Sequence, residues 1–242
     1  MTRDFPEATF RSDMTVELVK ASASDADVLF AARVSTKGES SLDDIDGDAK
    51  ASAGLINYLM RDRHGSPFEH NSMTFFVSAP IFVFREFMRH RIASYNEESG
   101  RYRELRPVFY TPGSDRNLVQ EGRPGAYEFV PGTTAQHELV ERSVRESCSH
   151  AYAAYQEMLA AGVAREVARI VLPVSTYSSM YVTMNARALM NFLSLRTKRP
   201  GSAYPSYPQR EIEMVADAME AEWAALMPLT HAAFESHGRV AP

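Results

Sequence analysis

Residues 134–161 set Val140, Val144, Cys148, Tyr152, Tyr155 and Leu159 three or four positions apart, with Leu139 beside the first, which predicts one long helix with a single buried face. A helix of that length needs a broad apolar surface to lie against. The composition supplies one: 45% hydrophobic and 24% charged residues match ordinary globular proteins and exclude wholesale disorder. At 242 residues the chain reads as a single domain over 1–242, preceded by a polar N-terminal extension over 1–13. The formal net charge is −5, so no overall positive field gathers nucleic acid or anionic lipid, and any anion site must be local. Clustered arginines are therefore informative. The lone cysteine, Cys148, cannot form an internal disulfide and fits a reducing compartment. The first residues are polar, and the longest apolar runs fall short of the ~18 residues a membrane span needs. A cytoplasmic protein is expected.

Around the long helix, the pattern predicts a strand over 14–20, then a helix opened by Ser24 or Asp25 that carries Val28, Leu29 and Ala32 inward. A second helix over 49–62 aligns Leu55, Ile56, Leu59 and Met60 and closes near Gly65 and Pro67. A strand over 73–78 leads to Pro80, which opens a helix over 81–91 built on Phe84, Phe87 and Met88. A short helix over 163–172 is stopped by Pro173; a strand over 175–184 and helices over 185–198 and 209–234 finish the chain. Two Pro/Gly-rich stretches, 107–133 and 199–208, interrupt this order. Helices and strands interleave without regular βαβ punctuation, and neither GxGxxG nor GxxxxGK[ST] occurs, so Rossmann and P-loop readings lack support.

Four clusters carry chemistry. In the first, Arg89, His90, Arg91, Arg101 and Arg103 spend five basic groups in fifteen residues. Arg85 shares a helical face with Arg89, and Ser99-Gly100 offers backbone N–H groups that a phosphate can approach closely. Guanidinium forks suit a dianionic phosphate, although a solvated helix end pairing with Glu97 or Glu98 explains the same residues. In the second, His64-Gly65-Ser66-Pro67-Phe68-Glu69-His70 could hold a metal or a flat ring, or simply cap its own loop. Its spacing matches no zinc pattern, so no metal is expected. The third sets Arg165 and Arg169 beside Val167, Ile170 and Val171, where a guanidinium must snorkel to water or find a partner, either an internal carboxylate or a bound anion. In the fourth, Asn185 and Arg196 share a helical stripe with Phe192, while Arg187 and Asn191 share another, as ligand contacts or as core amides. Nucleophilic catalysis is poorly supplied: Cys148 sits at a core position and no GxSxG elbow exists.

Taken in order, these clusters resemble the flavin-dependent thymidylate synthases, whose signature is Arg-His-Arg, seven residues and Ser: here Arg89-His90-Arg91 to Ser99. The resemblance continues through Phe30-Ala31-Ala32-Arg33-Val34-Ser35, through His64 to His70, through Arg165 to Pro173, and through Asn185 to Arg196. It implies an α/β (α+β) fold, one domain whose mixed or antiparallel sheet core is packed with helices. It further implies a homotetramer with active sites between subunits; a monomer would leave faces such as Phe192-Leu193 less covered. The implied reaction is FAD-dependent reductive methylation of dUMP to dTMP, with methylenetetrahydrofolate as carbon donor, NADPH as reductant and no cysteine nucleophile.

Carried over residue by residue, the resemblance assigns FAD to Ser35, Ser66, Glu69, Arg89, His90, Arg91, Asn185, Arg187 and Asn191. It assigns dUMP, chiefly its phosphate, to Glu86, Arg89, Glu97, Ser99, Gly100, Arg101 and Arg169. Arg196 reaches the uracil edge beside the flavin and stabilises charge on the pyrimidine, and His64 lies near the flavin ring and the folate. The sequence departs from the family at 197–208, which is longer and lacks the histidine usual there, and at Glu86, where some members have Gln. That insertion is expected to be a lid or subunit-contacting loop, with Tyr204 and Tyr207 against the FAD adenine or an interface. Two other readings use the same residues. One is a flavoprotein oxidoreductase acting on another substrate. The other is a nucleic-acid-binding module in which Arg85, Arg89, Arg91, Arg101 and Arg103 meet the backbone and Tyr95 and Tyr102 stack on bases.

Overall fold

In chain order, β1 (Thr9–Arg11) and β2 (Thr15–Ser22) precede α1 (Asp25–Lys37) and α2 (Ala49–Arg61), and a 3-10 turn (Ser66–Glu69) leads to β3 (Ser72–Pro80) and α3 (Ile81–Phe87). Strands β4 (Ser94–Glu97), β5 (Val108–Tyr110), β6 (Val119–Arg123) and β7 (Ala126–Val130) come before the long α4 (Thr134–Ala160). A short α5 (Arg165–Ala168) runs into a second 3-10 turn (Arg169–Val171), followed by β8 (Tyr177–Met184), α6 (Ala186–Arg196), α7 (Arg210–Leu226) and α8 (Pro228–Ser236). This computed structural model describes residues 7–38, 49–124 and 126–242. Residues 1–6 of the expected N-terminal extension lie outside them, whereas Thr9–Arg11 of the same segment forms a parallel pair with Val108–Tyr110. Four strands form a sheet in the order β2-β3-β8-β4, and β6 and β7 make a separate antiparallel hairpin. The fold is thus a mixed α/β one, as expected.

The chain divides into two compact units, one of Met1–Met14, Ser78–Phe87 and Glu97–Met180, the other of Thr15–Val77, Met88–Asn96 and Tyr181–Pro242. The first is organised by α4. A capping box opens that helix: the Thr133 hydroxyl accepts from the Gln136 N–H at 3.2 Å, and the Thr133 N–H donates to the Gln136 side chain at 2.8 Å. Its buried face carries Cys148, Tyr152 and Tyr155 against Phe109 and Ala168. Leu139 does not join this core and is exposed.

The second unit is built around Trp223, Phe192, Phe234, Phe75 and Ile56, all fully buried. Expectation and structure differ in three elements. The expected helix over 81–91 ends at Phe87, since pairing of β4 into the sheet takes the chain out of helical conformation; Met88 is exposed and Arg89 is no longer on a shared face with Arg85. The expected helix over 163–172 is α5 plus a 3-10 turn. The expected last helix breaks at Met227, because Pro228 cannot continue it and instead opens α8. Phe192 and Leu193 are both fully buried within the chain, so that face leaves no surface for a subunit to cover.

The end of α6 is fixed by a buried ion pair. Arg239, 2% exposed, donates to both carboxylate oxygens of Glu220 at 2.7 and 2.9 Å and to the Thr197 hydroxyl at 2.9 Å; it also touches Glu235. Burial would raise the Glu220 pKa, but hydrogen bonds from His231 and Arg239 and the charges of Arg239 and Arg199 outweigh it and hold it down at about 2. Removing one partner of such a pair strands a buried charge. Arg239→Met is expected to lower the unfolding free energy in urea by about 3–5 kcal/mol. A loss below about 1 kcal/mol would show that water reaches the pair freely.

Candidate active site

Arg196, at the end of α6, donates from Nε to Nε2 of His90 at 3.0 Å. A guanidinium has no acceptor to offer, so His90 must accept through Nε2 and carry its proton on Nδ1. Burial and the Arg196 charge push the His90 pKa down to about 4, and the ring packs edge-on against Phe192 with centroids 4.9 Å apart. His90 is therefore neutral near pH 7 and orients Arg196 without neutralising it. Tyr95 fastens this stretch by donating to the His90 carbonyl at 2.6 Å. The flanking Arg89 and Arg91 are exposed and, among the described residues, neither has an ion-pair partner.

The second and fourth sequence clusters meet. Arg187 of α6 forms an ion pair with Glu69 of the 3-10 turn and donates from Nε to the Pro242 carbonyl at 2.6 Å. Gly65 allows this approach: a Cβ there would lie 2.6 Å from the Arg187 guanidinium carbon and 2.7 Å from the Pro242 oxygen. Asn185 caps α6, its side-chain oxygen accepting from the Ala188 N–H at 2.9 Å, and Asn71 does the same for Ala186 at 2.7 Å. Only the amide NH2 of Asn185 is left for a ligand. Asn191 is exposed and donates to the Arg187 carbonyl at 3.1 Å. Ser66 and His64 are exposed, His64 standing edge-on to Tyr58 at 5.5 Å. Ser35 is exposed near the end of α1 with its hydroxyl on the Ala32 carbonyl at 3.0 Å.

The anion cluster lies elsewhere in the sequence and forms its own geometry. Residues 99–103 turn tightly, with the Tyr102 and Arg103 N–H groups both donating to the Ser99 carbonyl at 3.0 and 3.2 Å. Gly100 is buried against Leu105 and Arg169; an added Cβ would meet their side chains at 3.0 and 3.2 Å. Arg101 pairs with Glu166 at 2.9 Å, both about half exposed, whereas Arg169 forms no ion pair among the described residues, although its charge acts on the Glu97 carboxylate. Arg165 is exposed, as are Val167, Ile170 and Val171 beside it, so its guanidinium reaches water, and Arg169 is half-buried. Burial raises the Glu97 pKa, with the Glu98 charge adding to it. Glu86 is half-buried on α3.

Membership of the two units sorts the expected roles. Every residue assigned to FAD belongs to the second unit, as do Arg89, His64 and Arg196; Glu86, Glu97, Ser99, Gly100, Arg101 and Arg169 belong to the first. Among the described residues, Glu220, His231 and Glu235 form the group whose ligand atoms lie close enough for a metal ion, but Arg239 already bonds both carboxylates. Cys148 is 2% exposed and its pKa is raised by burial against the lowering bond to Ser175. No helix among the described residues is long and apolar enough to cross a membrane.

The chain matches the family described as Thymidylate synthase complementing protein over residues 17–229. It is 71% identical over 240 residues to the flavin-dependent thymidylate synthase of Streptomyces coelicolor, covering 99% of this chain and 98% of that one. Identity to the flavin-dependent thymidylate synthase of Tropheryma whipplei is 62% over 236 residues, covering 98% of each. Among solved structures, the UMP/dUMP methylase PolB from Streptomyces cacaoi, bound with 5-Br UMP, superposes with a TM-score of 0.91 at 59% identity, covering 98% of this chain and 100% of that one.

The His90 contact has a pH signature. A histidine whose pKa falls from 6.5 unfolded to about 4 folded binds fewer protons in the native state between those values. Its contribution to stability is complete above about pH 6.5 and is lost as pH falls toward 4. His90→Gln is expected to flatten the melting temperature across that window relative to the parent. An unchanged slope between parent and variant would show that His90 is not held neutral.

Proposed function

The chain belongs to the flavin-dependent thymidylate synthase family, and from that premise we propose that it converts dUMP to dTMP with FAD bound, methylenetetrahydrofolate as carbon donor and NADPH as reductant. The balance is dUMP, methylenetetrahydrofolate, NADPH and a proton giving dTMP, tetrahydrofolate and NADP+. The observation that carries this reading is the buried thiol. Methylation of uracil C5 through a covalent enzyme adduct needs a thiolate, and Cys148 is shielded and held protonated. Bound flavin supplies the hydride instead. The residues present fit such a cofactor: Arg89 and Arg91 are cations with no ion-pair partner among the described residues, suited to a pyrophosphate, and Gly65 keeps the Arg187 and Glu69 pair close to the exposed Ser66 and His64.

The chain's own contribution is orientation and charge. Arg196, aimed by neutral His90, faces the pyrimidine and stabilises negative charge on its carbonyl edge. Ser99, Gly100, Arg101 and Arg169 take the phosphate, with Glu86 and Glu97 beside the nucleotide. Arg101 exchanges Glu166 for phosphate, a swap that costs little because an exposed ion pair is worth only about 0–1 kcal/mol. The exposed apolar surface of Val167, Ile170, Val171 and Val174 supports assembly as a homotetramer with active sites between subunits. The insertion after Arg196 is pinned at Lys198, Arg199, Ala203 and Ser206, by Glu213 at 3.0 Å, Asp217 at 2.5 Å, Gly238 at 2.9 Å and Leu195 at 2.5 Å respectively. Tyr204 and Tyr207 remain exposed on it, which supports a lid or subunit contact. A lone, unbridged cysteine supports a cytoplasmic setting.

The test is turnover with purified protein, FAD, NADPH and methylenetetrahydrofolate, with dUMP and, separately, UMP as acceptor, because PolB is named for both. Formation of dTMP is expected, and Cys148→Ala should retain it within about twofold while costing about 1 kcal/mol of stability. Arg169→Ala should raise the dUMP KM at least tenfold, a lost charged hydrogen bond being worth about 1.5–3 kcal/mol, and should leave FAD bound. Flavin oxidation without dTMP would support the oxidoreductase reading, and loss of turnover in folded, flavin-loaded Cys148→Ala would overturn the flavin route.

A further inference from the structure

Two tyrosines deep in α4 hold the loop that presents Ser99, Gly100 and Arg101. Tyr155 is fully buried and Tyr152 is 3% exposed, yet both carry hydroxyls, and both hydroxyls go to the same residue. The Leu105 N–H donates to the Tyr155 hydroxyl at 3.2 Å, and the Tyr152 hydroxyl donates to the Leu105 carbonyl at 3.3 Å. One residue thus has both backbone groups gripped by side chains of a helix 50 and 47 positions away in sequence. Gln156 extends the grip, its NH2 donating to the Tyr152 hydroxyl at 3.0 Å and to the Glu104 carboxylate at 2.5 Å. The rings are themselves fixed: Tyr152 stands edge-on to Phe109 with centroids 6.1 Å apart, and Tyr152 and Tyr155 lie 5.7 Å apart.

The grip reaches the anion groups through packing. Leu105 is 7% exposed, and its side chain lies where a Gly100 Cβ would come within 3.0 Å. The same Cβ would come within 3.2 Å of the Arg169 Cδ, on the aliphatic stem that carries the guanidinium, so Leu105 and Arg169 both pack over Gly100. A displacement of Leu105 therefore shifts Gly100 and releases the Arg169 stem. Phenylalanine would fill both α4 positions with nearly the same apolar volume, so core packing alone does not account for two hydroxyls. Burial and the nearby Glu104 charge push the Tyr152 pKa up to about 12, which keeps its hydroxyl a donor.

We propose that Tyr152 and Tyr155 are positioning residues for the nucleotide phosphate, setting the spacing of Gly100, Arg101 and Arg169 by clasping the backbone of Leu105. The inference rests on the reading that this loop binds dUMP. It goes beyond that reading in placing the control of phosphate affinity in the core of α4, on groups that never touch the ligand. A Tyr155→Phe variant leaves the buried Leu105 N–H without a partner, and Tyr152→Phe does the same to the carbonyl.

Steady-state kinetics and FAD retention of flavin-loaded Tyr155→Phe, Tyr152→Phe and the double variant test this. The dUMP KM is expected to rise at least fivefold for Tyr155→Phe and further for the double variant, with kcat within twofold and FAD content unchanged. Leu105→Ala, which keeps the backbone bonds but removes the packing on Gly100 and Arg169, should raise the dUMP KM likewise. A lower melting temperature with unchanged KM in all three tyrosine variants would make the hydroxyls merely structural and overturn the proposal. A parent enzyme whose turnover does not depend on dUMP, or an Arg169→Ala variant with unaltered dUMP KM, would instead overturn the assignment of the phosphate to this loop.

Discussion

The buried Arg239–Glu220 pair is the constraint on which the second unit depends. It joins α7, the chain after α8 and the end of α6 at one point, where Thr197, the residue after Arg196, accepts from the same guanidinium. Two charges in a place 2% and 8% exposed are tolerable only when they satisfy each other. The arrangement allows one position of the α6 end, and so one origin for the Arg196 side chain. His90 then sets its direction. In the role proposed for Arg196, a guanidinium that stabilises charge on a flat ring must be pre-oriented, because reorientation during reaction would cost part of what it contributes.

The first unit solves a different problem with different means. Its loop over 99–105 is held by two tyrosine hydroxyls on Leu105, by close packing on Gly100 and by the ion pair of Arg103 with Glu98 at 3.1 Å, whose carboxylate is 10% exposed. Arg101 keeps its carboxylate partner at the surface, where exchange is easy, and Arg169 forms no ion pair among the described residues. Under the proposed function, affinity for the phosphate is a matter of spacing between these donors, which the support from α4 sets.

Much of this was legible in the sequence, and the remainder was not for physical reasons. Periodicity located β2, β8, α2, α4 and α6, because each buries one face and the pattern follows from burial. The family was legible because the four residue clusters occur together and in order, and the match over residues 17–229 agrees with it. The end of α3 was misjudged because sheet pairing of β4 overrode a helical pattern that continues to Met88. The hairpin Val119–Val130 was hidden in a stretch read as Pro/Gly-rich, since its strands are exposed on most positions and lack alternation. Pro228 could have revealed the break between α7 and α8. The Arg239–Glu220 pair has no linear signature at a separation of 19 residues. For the clasp there was a signal: Tyr152 and Tyr155 stood at core positions of α4, and tyrosine in a core implies a partner for its hydroxyl.

The central proposal is that this protein binds a flavin and dUMP and that the two react. Titration of dUMP into the oxidised, flavin-loaded protein, read in the visible absorbance bands of the flavin, tests it most directly. The account predicts a saturable difference spectrum that is abolished at the same dUMP concentrations by Arg169→Ala. Purified protein that binds flavin but shows no spectral response at saturating dUMP, or that retains no flavin at all, would contradict it.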